Sequence, residues 1–341
     1  MPVQSDSPYD EKRGKYVEIL RPLFLPDDPV SHDIINYFAS LLRVFGKEDG
    51  GWDPYAESRA TIEDLNSFFK IDLPEVRFPD SNATLWRIGL LLYGHIVEMD
   101  APYEVLANLL RFRLGKGYSP DAFSEFLTDN EKKKKSYRKR PLPPGRKIQV
   151  IKELSAEAGL PNIGAIFDDF YNNHLRNAVG HSDFILADDN FRCRGNLSGT
   201  NAFRLPYERL DEIIRSAKAF IAAFFQMELT ARQVWGCQKH RALPYDRDYK
   251  GLMEVLVDVQ DAMCGFRVHW PNGSDSTYRR TADGTEMINC LFDPNGKTIA
   301  LMVGRYAQDA SDFSPLVERN AQPVYSKLEG CDVIPAWPSG I

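Results

Sequence analysis

The sequence has no closely spaced pair of cysteines: Cys193, Cys237, Cys264, Cys290 and Cys331 are odd in number and scattered through its second half. That spacing excludes a disulfide framework and a paired-cysteine zinc site, and it suits a reducing cytoplasm. Cys237 and His240 have the gap of half a zinc site, but no second pair follows at a matching distance, so two unrelated surface residues are expected. Long apolar runs are also missing. The greasiest stretches, around residues 85–99 and 217–229, are shorter than a bilayer span, and the first fifteen residues are polar with no signal-peptide core. A cytoplasmic protein without a membrane partner is expected.

What the chain does contain is ordinary globular composition, with 43% hydrophobic and 26% charged residues over 341 positions, enough for two domains or one enlarged one. The net charge of −6 argues against nucleic-acid binding only as an average. Residues 132–147, KKKKSYRKRPLPPGRK, hold nine basic and no acidic side chains, so removing them from the net −6 leaves −15 on the rest. Positive charge is concentrated in one segment.

From Tyr16 to about Gly236 apolar residues recur at three- and four-residue spacing, which predicts helices. Leu85, Ile88, Leu92, Ile96 and Met99 form one stripe on a helix from about Thr84 to Met99, with a break at Ala101-Pro102. Pro141, Pro143, Pro144 and Gly145 predict an exposed loop. Helical periodicity resumes at 147–158 and again from Pro161 through Ala178. Phe184 to Arg194 has the pattern of a β-hairpin around Asp188-Asp189-Asn190. A long helix follows, striped by Leu210, Ile213, Ile214, Ala217, Ile221 and Phe224. Beyond Gly236 the period changes, and Phe266–Trp270, Thr285–Phe292 and Lys297–Val303 read as strands, the last two joined by Asp293-Pro-Asn-Gly296. Neither a glycine-rich phosphate loop nor a metal-ligand cluster occurs there. The expected fold class is therefore α+β: a helical extension (1–75), a mainly α-helical bundle (76–236) with a basic loop at 128–147, and a C-terminal α+β module (237–341) containing an antiparallel sheet.

The segment that carries chemistry is Asp168-Asp-Phe-Tyr-Asn-Asn-His-Leu-Arg-Asn-Ala-Val-Gly-His-Ser-Asp183. On a continuous helix Ile163, Phe167, Phe170, Tyr171, His174 and Ala178 share the apolar face, so His174 is expected to be packed, while Arg176 and Asn177 lie on the polar face. Five helical residues put Arg176 and His181 about 140° apart. A left-handed turn at Gly180 would bring His181 back toward the arginine. Asp168, Asp169, Asp183, Asp188 and Asp189 are read as helix-start and turn acids rather than a Mg²⁺ site, since Asp168 and Asp169 point about 100° apart.

Arg176-Asn-Ala-Val-Gly-His181 on a late helix of an all-α unit resembles the Arg-x(4 to 6)-His signature of HEPN domains (higher eukaryotes and prokaryotes nucleotide-binding), with Asn177 matching the polar residue after the arginine. The resemblance covers roughly half of the chain; the first 75 residues and the C-terminal module lie outside it. It implies a metal-independent endoribonuclease, of a kind common in toxin–antitoxin and antiviral systems, needing no cofactor. It also implies 2′,3′-cyclic phosphate and 5′-hydroxyl ends, and a homodimer whose shared cleft pairs two copies of the motif. In that chemistry RNA supplies the 2′-hydroxyl, His181 moves protons, Arg176 stabilises charge on the phosphate and Asn177 orients the phosphate or the histidine.

Lys132, Lys133, Lys134, Lys135, Arg138, Lys139 and Arg140 are candidates for phosphate contacts, with Tyr137 stacking on an unpaired base; a solvated loop is the bland alternative. For Arg176 and His181 the plainer alternative is a surface arginine and a helix-capping histidine. The alternative function is a non-catalytic HEPN dimerisation or nucleotide-binding scaffold whose C-terminal module senses a signal or binds a regulatory protein.

Overall fold

A computed structural model describes residues 7–27, 34–43, 54–71, 73–74, 76–128, 142–195, 202–239, 242–244, 252–270, 275–281, 284–292 and 299–301. The chain is α+β and mainly helical, with antiparallel sheet in its C-terminal part. The helices are α1 (Pro8–Phe24), α2 (Ile34–Leu42), α3 (Pro54–Ser67), α4 (Ser81–Glu98), α5 (Asp100–Arg113), α6 (Pro144–Glu157), α7 (Pro161–Ala165), α8 (Asn173–Gly180) and α9 (Tyr207–Gly236). Strands β1 (Phe184–Leu186), β2 (Asn190–Cys193) and β3 (Phe203–Pro206) form one antiparallel sheet before α9. After α9, β4 (Ala242–Pro244), β5 (Leu252–Val257), β6 (Met263–His269), β7 (Asp275–Thr281) and β8 (Gly284–Ile288) form a second. Strands β9 (Cys290–Phe292) and β10 (Ile299–Leu301) pair separately; the run expected as one strand over Thr285–Phe292 is instead divided between β8 and β9 at Asn289, which takes a left-handed φ of 52°. No helix among the described residues is long and apolar enough to cross a membrane.

The chain divides into two compact units, each drawing on three stretches: residues 1–20, 54–103 and 126–225 in the first, and 21–53, 104–125 and 226–341 in the second. In the first, the predicted stripe on α9 is buried, from Leu210, Ile213 and Ile214 to Ala217, Ile221 and Phe224. Phe220 adds to it, meeting Phe167 and Phe170 with ring centroids 5.2 Å apart. Tyr16 on α1 donates to Asp169 Oδ2 at 2.5 Å, tying α1 to the short helical turn before α8. The hairpin expected at 184–194 forms, with Phe184 opposite Cys193. A third strand extends it, and Phe191 sits between Phe184 and Phe203 with centroids at 5.2 and 5.8 Å.

The break expected at Ala101-Pro102 falls earlier, at Met99, and both residues lie in the first turn of α5. Two further boundaries also differ from the periodicity. α6 begins at Pro144, with Pro143 as its N-cap, rather than at Lys147. Proline lacks only an N–H that the first turn leaves unpaired anyway, so here it starts the helix instead of excluding it. As a result Lys147 is buried and ion-paired with Asp100, not part of a solvated basic loop. The second difference lies between Pro161 and Gly180, where the helix is interrupted. Asn172 adopts extended dihedrals and its side chain accepts from Leu175 N–H at 3.0 Å, capping a new helix.

In the second unit Trp235, Tyr37, Phe38 and Phe266 form the aromatic centre, Phe38 standing edge-on to Trp235 at 5.0 Å. Three strands of the larger sheet share a charged cluster: His269 Nδ1 lies 2.7 Å from Asp275 and Nε2 lies 3.1 Å from Glu254, which also meets Arg267. The histidine contact, reinforced by Arg267, holds the Glu254 carboxyl below its ordinary range despite partial burial.

Candidate functional site

The candidate site is built by α4 and α8 of the first unit. Gly94 on α4 lets α8 come close: a Cβ there would stand 3.3 Å from Val179. The buried Tyr93 hydroxyl donates to the Phe170 and Asn172 carbonyls, both at 3.3 Å, and accepts from Asn172 N–H at 3.2 Å. The bond from Asn172 N–H satisfies a backbone donor at the start of α8, while the Asn172 carbonyl also accepts the first intrahelical bond, from Arg176 N–H at 2.9 Å. The Tyr93 bonds fix the start of α8 against α4, four residues before Arg176.

Because Asn172 caps a new helix, the helical phase is reset. Leu175 and Ala178 face the core, and His174 is exposed, 6.0 Å from the Phe203 ring between centroids. The packed position expected for His174 assumed one continuous helix, and the interruption removes that assumption. Arg176 is partly exposed. Its Nε donates to Glu98, the last residue of α4, and its Nη1 donates to Asn177 Oδ1 at 2.9 Å. The carboxylate, favouring the charged form, raises the Arg176 pKa further above its ordinary value against the opposing effect of burial. Asn177 therefore engages the arginine rather than the His181 ring.

The turn after Arg176 is not where the sequence placed it. Gly180 is within α8 and its φ is not positive; His181 is the C-cap, and Ser182 takes the left-handed conformation at φ 54°. Asp183 N–H bonds the Ala178 carbonyl at 2.9 Å and Ser182 N–H the Val179 carbonyl at 3.1 Å, the paired bonds of a Schellman ending. Space does not demand glycine at 180 either, since a Cβ there meets nothing within 4 Å. Arg176 and His181 thus stay about 140° apart around one helix, both open to solvent. Ser182→Gly is expected to stabilise the fold by about 0.5–1 kcal/mol, because glycine occupies the left-handed region without the Cβ clash that serine bears. A urea titration read at constant m-value measures it.

The basic residues 132–135 and 137–140 lie outside the described residues, but the stretch around them is anchored beside the site. Arg146 Nη2 donates to the Phe126 carbonyl at 2.6 Å, bringing the two flanks together. On the C-terminal flank, a Cβ on Gly145 would lie 2.6 Å from the Tyr171 hydroxyl, so a larger residue there would push the Tyr171 side chain aside. Tyr171 is close enough to Arg176 for the guanidinium to oppose the upward shift that burial gives its phenol.

The acids of the segment are dispersed among separate partners: Asp168 pairs with Lys152, Asp169 with Tyr16 and Lys12, Asp183 with Arg194 and Asp189 with Arg192. Among the described residues no group of three or more His, Cys, Asp or Glu side chains is arranged to hold a metal ion. Cys237 is exposed, whereas Cys193 and Cys264 are buried. Comparison with protein-family models, curated proteins and solved structures finds no match to this chain.

Glu98 is the site residue that periodicity does not reveal, since its partner is 78 positions away. One local signal was present. An acid at the last position of a helix opposes the helix dipole, and such a placement calls for a cation from elsewhere.

Proposed function

We propose that the chain is an endoribonuclease that cuts RNA by 2′-hydroxyl attack without a metal ion, acting as a homodimer of HEPN type. The observation that supports this best is the state of Arg176. Its guanidinium is held at Nε by Glu98 and at Nη1 by Asn177, so Nη2 is left to meet a phosphate in a fixed orientation. With Asn177 Oδ1 engaged, its amide nitrogen is the donor that remains. His181, exposed at the end of the same helix, would take the 2′-hydroxyl proton as that oxygen attacks phosphorus. A second imidazole would deliver a proton to the departing 5′-oxygen.

Since Arg176 and His181 occupy separate sides of α8, one copy does not gather base, acid and guanidinium around one phosphate. A second copy facing the first would. The basic run, flanked by residues next to this site, would add sequence-independent affinity for RNA through Lys132–Lys135 and Arg138–Arg140, with Tyr137 as a stacking surface.

The test is incubation of purified protein with end-labelled RNA in EDTA, followed by end-group analysis. Fragments with 2′,3′-cyclic phosphate and 5′-hydroxyl ends, lost in His181→Ala, are expected. Cleavage only on adding a divalent ion, or 5′-phosphate ends, would sink the assignment. Absence of any cleavage would favour the non-catalytic scaffold, for which the internal pairing of Arg176 with Glu98 is the relevant observation.

A further inference from the structure

We infer that Glu98 is a positioning residue for Arg176, and that its carboxylate sets which edge of the guanidinium is offered to the RNA phosphate; this rests on the ribonuclease reading above. The juxtaposition is specific. Glu98 comes from the C-terminal end of α4, Arg176 and Asn177 from the middle of α8, and the two helices are fixed to each other by Tyr93 and by the close approach at Gly94. The carboxylate takes Nε and the amide takes Nη1, so two of the three guanidinium nitrogens are spoken for.

A free arginine side chain samples many rotamers, and each bond to phosphate must then be formed at the cost of that freedom. Clamping from two sides removes the cost in advance. Among the described residues Nη2 has no partner, so the open edge of the group is defined by the clamp. The same carboxylate carries a negative charge beside the phosphate site, which weakens ground-state attraction for RNA. Glu98 thus trades some binding for orientation, and the two roles separate on substitution.

The experiment compares Glu98→Ala and Glu98→Gln with the wild type in the full chain, using RNA cleavage in EDTA. The alanine variant releases Nε, and its kcat is expected to fall by roughly tenfold or more with KM changed by less than about threefold. Glutamine keeps an oxygen to accept from Nε and loses only the charge. Its kcat should stay within about threefold of wild type while KM for RNA decreases. A second readout does not depend on catalysis: the Arg176 Nε–H resonance in ¹⁵N NMR, protected from solvent exchange in wild type and Glu98→Gln and unprotected in Glu98→Ala. Wild-type kcat in Glu98→Ala, or the same Nε–H protection in all three proteins, overturns the inference. If the wild type itself cuts no RNA, the ribonuclease reading fails, and the resonance alone then decides whether Glu98 holds the arginine.

Discussion

Arg176→Ala is expected, under the proposed ribonuclease mechanism, to lower metal-free RNA cleavage by about 10²–10³-fold, the usual loss when one aimed donor to a developing oxyanion is removed from a catalytic site. Stability should scarcely change. The ion pair with Glu98 is partly open to water on both sides, and such pairs contribute about 0–1 kcal/mol. Leu175 and Ala178, which bury α8, are untouched. Arg176→Lys should be nearly as damaging. An ammonium is a point charge without the planar fork that lets one group meet Glu98, Asn177 and phosphate together. Single-turnover cleavage and a thermal melt, taken on the same preparations, separate lost chemistry from lost folding. Cleavage by Arg176→Ala at the wild-type rate would end the assignment of Arg176 to the reaction.

Gly236→Ala should be the most damaging single-methyl change in the second unit, destabilising it by about 3 kcal/mol or more. A Cβ at this last residue of α9 would lie 1.8 Å from the Asp261 carbonyl oxygen, far inside contact distance. Relief by movement is blocked on the strand side. Asp258 Oδ1 accepts the N–H groups of Gln260 and Ala262 at 2.8 and 3.1 Å, closing the β5–β6 turn. Arg232, one turn back on α9, bonds the Met263 carbonyl at 2.6 Å and Asp258 at 3.0 Å. Helix end and hairpin are therefore fastened together, and an added methyl has to break one of these bonds. Denaturant unfolding followed by tryptophan emission reports this directly, because Trp235 is buried next to the substituted position. An unchanged midpoint would mean that the turn can yield.

Much of the fold was legible because it is written in local period. The buried stripe of α9, the hairpin at 184–194 and the β9–β10 pair depend on neighbours a few residues apart, which spacing reports well. Where the sequence misled, a single polar or cyclic side chain outweighed the apolar pattern. Asn172 recapped the chain and turned His174 outward; Pro144 opened α6; Ser182, with no glycine's exemption from steric cost, made the left-handed turn that Gly180 was expected to make. Strands β5 and β7 were missed for another reason. Their side chains face covered surface through much of their length, so the alternation that marks a half-exposed strand is weak. Glu98 escaped because pairing across 78 positions leaves no trace in spacing.

The bond from Arg146 to the Phe126 carbonyl has an evolutionary consequence. A junction that fastens Phe126 to Arg146 lets the length and composition of the sequence between them drift, since closing a longer segment costs only slowly growing entropy. The sequence at residues 129–141 can thus vary while the scaffold that carries Arg176 stays under its own, separate selection.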